Sequence, residues 1–391
     1  MSTTATDPLW TRPYLVTVAA TCLVFVSVGV TIPLLPFVVT DRFDGTALTV
    51  GLVFGASAVA AIAARPWLGP LGDRRGRRLL LIAGTVVAAA GLIGHLLAGS
   101  IAAMVAARLV LGLGQAGVMV AATTLALDLA PAGRHGEASS YLFIAVNGGL
   151  GTGPILGELL ARADTEVAWL GAAATCLLAG LLALSLPAVR HHVADGGPVA
   201  ATYGPALRTG ALAGLGTLGF AGFLAMVPLY AAELDMAHTS LIFILASGTV
   251  VAVRVVAAKV PDRLGPRPVA RTSFLTLAGG FTLMALWVSP TGLVVGTVIM
   301  AAGLSLLVPS LVLHATEGVS EGEETRRMSA FTVFLDLGAA LGPSALGLVA
   351  AATTYQNAFL LCTGTALLGL ALLLAWVPRR HVLRAEPAGC P

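Results

Sequence analysis

The chain has 391 residues, of which 57% are hydrophobic and only 10% charged, with a formal net charge of +3; a soluble domain carries roughly 25% charged residues. With a mean hydropathy of +0.92, that balance excludes a water-soluble globular protein and predicts an all-α integral membrane protein. The arginines serve topology, so no nucleic-acid partner is expected. Cys22, Cys176 and Cys362 lie inside apolar runs and Cys390 near the C-terminus, with no spacing that implies a metal site, a redox pair or a cofactor.

A bilayer span needs about 20 apolar residues. On that template the first half gives six spans, at roughly 14–39, 48–67, 79–99, 102–127, 138–160 and 167–186. The opening MSTTATDPLWTRP lacks a charged segment and a cleavage site, so the first run is expected to be a retained span rather than a signal peptide. The second half gives six more, at roughly 208–232, 239–260, 269–288, 291–314, 328–352 and 356–377. With the N-terminus inside, only Arg42 and Arg162 of the 22 Lys and Arg residues fall in outer loops. Both termini are therefore expected on the cytoplasmic side of the inner membrane.

Between the second and third spans stands Gly69 to Arg78, reading GPLGDRRGRR. Its four arginines are expected to form a loop in water. The stretch also recurs: Arg65, Asp73, Arg74, Gly76 and Arg78 are matched by Arg254, Asp262, Arg263, Gly265 and Arg267, each 189 positions on. The same offset carries Gly149, Gly153 and Pro154 onto Gly338, Gly342 and Pro343. Such a repeat predicts two pseudo-symmetric six-helix bundles, residues 1–187 and 208–391, joined by a polar linker at 188–207.

These residues resemble the major facilitator superfamily, whose loop between the second and third spans carries Gly-x-Leu-x-Asp-Arg-x-Gly-Arg-Arg/Lys. Here Gly69, Leu71, Asp73, Arg74, Gly76, Arg77 and Arg78 match. Arg108 with Gly112, Gly114 and Gly117 is similar to a second family motif, in the fourth span. Gly149, Gly153, Pro154 and Gly157 resemble the antiporter motif of proton-coupled exporters, with Glu158 where that pattern usually has a second Gly. The resemblance implies twelve helices, alternating access, a small-molecule substrate and a monomer. It also implies that the Asp73 loop latches the two halves together at the cytoplasmic side, with Asp73 near the start of the eleventh span.

Physical chemistry assigns further expectations. Asp128 can pair with a loop arginine. Arg108 lies too deep in its span to be free, and either faces a polar cavity with a partner, where it is a proton-coupling candidate alongside Asp336, or snorkels to the interface. Asp336 lies about nine residues into the eleventh span, where desolvation and movement could alter its protonation; it is the candidate proton-coupling acid, with a structural ion pair as the alternative. Gln115, Asn147 and Tyr230 are candidate cavity contacts. Asp41, Glu158, Glu233 and Asp235 read as solvated anchors, and His95 and His314 as core or shuttle histidines. Pro33, Pro36, Pro154 and Pro343 are expected to break or bend their helices. Together these predict a proton-coupled exporter of a small amphipathic molecule. A proton symporter importing a sugar or organic acid is the alternative, and a receptor or enzyme the alternative from another class, without a nucleotide loop or nucleophile motif to support it.

Overall fold

The computed structural model describes residues 8–131, 134–187, 204–236, 238–257, 260–316 and 321–376. In the first half α1 runs Arg12–Phe37, α2 Ala47–Arg75, α3 Arg77–Leu97, α4 Ile101–Leu129, α5 His135–Ala161 and α6 Thr165–Ala183. In the second half α7 runs Gly204–Glu233, α8 Ser240–Ala257 and α9, a five-residue helix, Val260–Leu264. Then follow α10 Pro266–Leu286, α11 Pro290–Thr316, α12 Glu321–Ala352 and α13 Tyr355–Trp376. All but α9 are long and apolar enough to cross a membrane, giving 12 candidate spans among the described residues. The predicted linker 188–207 lies mostly outside the described residues, and its last four positions already belong to α7.

Local chemistry sets the helix starts. The Thr11 hydroxyl accepts from the Tyr14 N–H at 3.4 Å, and Ser100 from Ala103 at 3.2 Å. Thr46 and Thr49 cap each other reciprocally at the head of α2. Each cap satisfies an N–H that the first helical turn leaves without a partner.

Two expectations are corrected by the helices themselves. The arginine-rich stretch is not a loop: α2 continues through Arg75, and the chain reverses at Gly76 alone, where φ is +98°. Hydropathy marks where a helix leaves hydrocarbon, but Leu and Arg are good helix formers and carry it further into water. Gly265, the repeat mate, also has a positive φ of +82°, a conformation that glycine adopts without strain. Nor do the prolines break their helices. Pro33 and Pro36 lie within α1, which then widens into a π-helical turn over Val38–Arg42. Pro154 and Pro343 lie within α5 and α12. Neighbouring helices, Ser and Thr side chains and local helix adjustments re-satisfy the backbone groups that such a proline frees.

The repeat extends from sequence to contact. In α3, Gly91 abuts Ala107 and Leu111 of α4; in α10, Gly280 abuts Gly296 and Met300 of α11, each residue 189 further on. Gly149 and Gly153 press on the α1 backbone from Cys22 to Gly29, and Gly338 and Gly342 press on Gly214 and Leu218 of α7. Arg78 donates to the Leu184 carbonyl at 2.6 Å, closing the end of α6, and Arg267 does the same to Leu374 of α13 at 3.3 Å. Small residues let the backbones approach closely, which is how helices associate where lipid removes the hydrophobic drive. Outward, α6 and α8 present Leu177, Leu181, Val255 and Val256 as an apolar surface suited to lipid.

Candidate functional site

Helices α2 and α8 both point from the end of the molecule away from Gly76 and Gly265 toward those two glycines; the latter is called here the basic end. At the opposite end the two halves meet backbone to backbone. Gly51 of α2 lies on the Pro343 carbonyl of α12, Gly55 on Ala340, and Gly347 on Ala47. A Ser344 hydroxyl hydrogen bond to the Gly51 carbonyl, 3.3 Å, ties the same pair.

The pseudo-symmetric pair, α5 and α8, is sealed with a polar group. Glu158 accepts from the Ser240 N–H at 2.5 Å and from its hydroxyl at 2.7 Å. A carboxylate from one half thus caps the first turn of a helix in the other, where the orphan N–H groups and helix dipole favour negative charge. Glu158 is therefore not a merely solvated anchor. Its signal in the sequence was its standing where a second glycine was expected.

Below the glycine contacts, toward the basic end, Arg65 of α2 reaches α12. Its guanidinium lies 2.7 Å from an Asp336 carboxylate oxygen and donates to the Thr332 hydroxyl at 2.7 Å. Residues 332 and 336 are one turn apart on one face of α12, so a single forked side chain bridges both. Arg65 lies 18 residues from Ala47, about 27 Å along α2 at 1.5 Å per residue. Asp336 is thus neither free nor paired within its own half: it holds a cation of the other. Arg65 was visible in the sequence only as a repeat identity.

Arg108 is 3% exposed, which removes the snorkelling alternative. It donates to Thr31 of α1 at 2.9 Å and its guanidinium lies 4.8 Å from the Phe54 ring centre. Its partners are a hydroxyl and a ring face rather than an acid, and they join α4, α1 and α2. His95 is buried beside it, bonded to the Gly91 carbonyl at 2.7 Å and stacked on Trp169, as a core histidine would be.

At the basic end the charges pair within the first half. Arg77 contacts Asp128 of α4 and lies 3.7 Å from Asp73. Asp73 and Arg74 are exposed, and Gly69 has nothing within 4 Å of where a Cβ would sit. At the start of α12, which Asp73 was expected to face, the side chains of residues 321–326 lie outside the described residues, and Arg327 donates to the Ala315 carbonyl at 3.4 Å.

Of the three cavity candidates, Gln115 and Asn147 are half-buried, and the Asn147 amide donates to the Phe143 carbonyl at 2.8 Å. Tyr230 is corrected: it is fully buried, donates to the Met284 carbonyl at 3.0 Å and packs on Phe359, so it belongs to the core of the second half. A groove of about 430 Å³ between α2 and α4, lined by Ala60, Ala63, Trp67, Leu109, Val110 and Leu113, is apolar and holds none of the candidates. Among the described residues no three His, Cys, Asp or Glu side chains gather as a metal would require.

Two bundles related by a repeat, closed against each other at one end by glycine contacts and polar bridges, define the architecture of a secondary transporter. The chain belongs to the major facilitator superfamily, whose family model matches residues 17–266 and 209–389. It is 29% identical over 375 residues to an uncharacterized MFS-type transporter of Salmonella typhimurium, STM4428, covering 91% of this chain and 94% of that one. Among solved structures, a bacterial homologue of the human lysosomal transporter Spinster, in an inward-facing and unoccupied conformation, superposes with a TM-score of 0.79 at 14% identity, over 94% of this chain and 97% of that one. A nucleoside transporter, NupG, does so with a TM-score of 0.74 at 15% identity, over 93% and 100%. The protein is a multi-pass membrane transporter of a small molecule, not an enzyme.

Proposed function

We propose that the protein is a proton-coupled exporter of a small amphipathic molecule, working as a monomer in the inner membrane with its basic end and both termini in the cytoplasm. The end sealed by Gly51, Gly55, Glu158 and Ser240 then faces outward. The observation that carries the reading is the Arg65–Asp336 pair across the halves. Asp336 is the coupling acid. Protonation removes its charge and weakens its hold on Arg65, so proton binding and the relative motion of the halves share one free energy. Inward movement of a proton yields about 2.3 kcal/mol per elementary charge per 100 mV.

The other candidates take supporting roles. Gly149, Gly153, Pro154 and Gly157 form the face along which α5 slides on α1. Arg108 fixes the α1–α2–α4 junction, and Gln115 and Asn147 meet substrate. Gly69, Asp73, Arg74, Gly76, Arg77, Arg78 and Asp128 form the latch, which engages the second half when the cytoplasmic side closes. Export is supported by the likeness of the α5 face to the antiporter motif. The test is accumulation of candidate compounds in everted vesicles on energisation: uptake that a protonophore collapses supports export, and uptake only by right-side-out vesicles assigns a symporter instead.

A further inference from the structure

The repeat that places Arg65 also places Arg254, 189 positions on, in α8. The partners of Arg65 have repeat mates too: Asp336 corresponds to Asn147 and Thr332 to Phe143, both in α5. The second interface therefore keeps the arginine and lacks both groups that satisfy it in the first. Asn147 has no charge and gives its amide to the Phe143 carbonyl, and Phe143 offers no side-chain acceptor. In keeping with this, the Arg254 Nε is buried without a hydrogen-bond partner, and no carboxylate among the described residues forms an ion pair with it.

The direction of this side chain follows from its neighbours. Ser247 packs on Gly151 of α5, and the Val250 carbonyl accepts from Ser305 of α11 at 3.0 Å. Seven and four residues further along a helix, Arg254 falls within about 20–40° of both. It lies on the side of α8 that packs against α5 and α11, away from the exposed Val255 and Val256. A guanidinium without an ion-pair partner among the described residues, on the side of α8 that packs against α5, is suited to an anion from outside the chain, because a forked cation binds carboxylate or phosphate oxygens in pairs.

We infer that Arg254 binds the anionic group of the transported molecule, and that the substrate is a small organic anion bearing a carboxylate or phosphate. This rests on the transporter reading but on neither proton coupling nor direction. Asn147, as an asparagine rather than an aspartate, keeps the arginine available.

The test is a thermal-shift titration of purified protein in neutral detergent. The probes are a panel of small aromatic and aliphatic carboxylates and phosphate monoesters, each paired with its uncharged amide or alcohol. Anions are expected to stabilise the wild type more than their neutral mates. Arg254→Gln is expected to weaken the best anion at least about tenfold, while Arg254→Lys retains part of its binding. Asn147→Asp restores an internal partner, and is expected to remove anion binding in a protein that melts no lower than the wild type; this covers the case in which Arg254→Gln folds poorly. A panel in which neutral mates stabilise as well as anions, or anion binding unchanged in both Arg254→Gln and Asn147→Asp, overturns the inference. Native mass spectrometry from phosphatidylglycerol-containing membranes distinguishes a lipid phosphate: loss of bound phosphatidylglycerol in Arg254→Gln, with anion titrations unaffected, also overturns it. Proton-driven accumulation of a neutral compound by Arg254→Gln would sink this inference and leave the exporter reading standing. Anion binding in a protein that never responds to a proton gradient would do the reverse.

Discussion

Arg65 and Asp336 lie 2.7 Å apart although they belong to different halves of the chain, and Thr332 takes the second arm of the same arginine. The pair is partly exposed, at 35% and 21% of the two side chains. Its contribution should therefore fall between a surface pair and a buried one, on the order of 1 kcal/mol. Arg65→Gln should lower the melting temperature of the purified protein, and adding Asp336→Asn should recover part of the loss, because the uncompensated carboxylate is then gone. A double variant as unstable as the sum of the singles would show that the two residues are not coupled.

Glu158 seals α5 against α8 through Ser240. Spin labels at the exposed positions Arg162 and His238 should report a longer and broader distance distribution in Glu158→Ala than in the otherwise native chain. Glu158→Gln, which keeps an acceptor, should lie between them. An unchanged distribution in Glu158→Ala would mean that the glycine contacts close this end alone.

The glycines divide by what surrounds them. A Cβ at Gly153 would meet the Val26 carbonyl and Gly29 of α1, whereas one at Gly69 would meet nothing within 4 Å. Gly153→Ala should cost about 1–3 kcal/mol through forced separation of α5 from α1. Gly69→Ala should be neutral or stabilising by up to about 1 kcal/mol, since position 69 is inside a helix. Melting curves of the two variants in one detergent check this, and equal losses would refute the packing described.

Much of this arrangement could be read from residues alone, and the exceptions have physical causes. The 189-residue offset was legible because repeat mates do the same work, as Arg78 and Arg267 do in closing α6 and α13. The extent of α2 was not, because hydropathy records the hydrocarbon boundary while the helix continues to Arg75. Asp336 was legible as a deep acid, yet its partner lies in another half and no local pattern joins positions 65 and 336. Tyr230 looked like a polar contact because composition cannot tell that its hydroxyl is already satisfied by a carbonyl 54 residues away.

The proposed latch separates stability from function. Asp73 is exposed and 3.7 Å from Arg77, whereas Asp128 holds the same arginine more closely. Asp73→Asn should leave expression and melting temperature near wild type while reducing transport; Asp128→Asn should lower both. Wild-type transport by Asp73→Asn would remove the latch from the mechanism.

Asp336 is proposed to carry the coupling proton. That role is tested most directly by measuring proton release from weakly buffered, detergent-purified protein when the compound that best stabilises it is added. The wild type is expected to release protons on binding, and Asp336→Asn to bind the compound with no release. Equal release from both proteins would contradict the account and place the coupling group elsewhere.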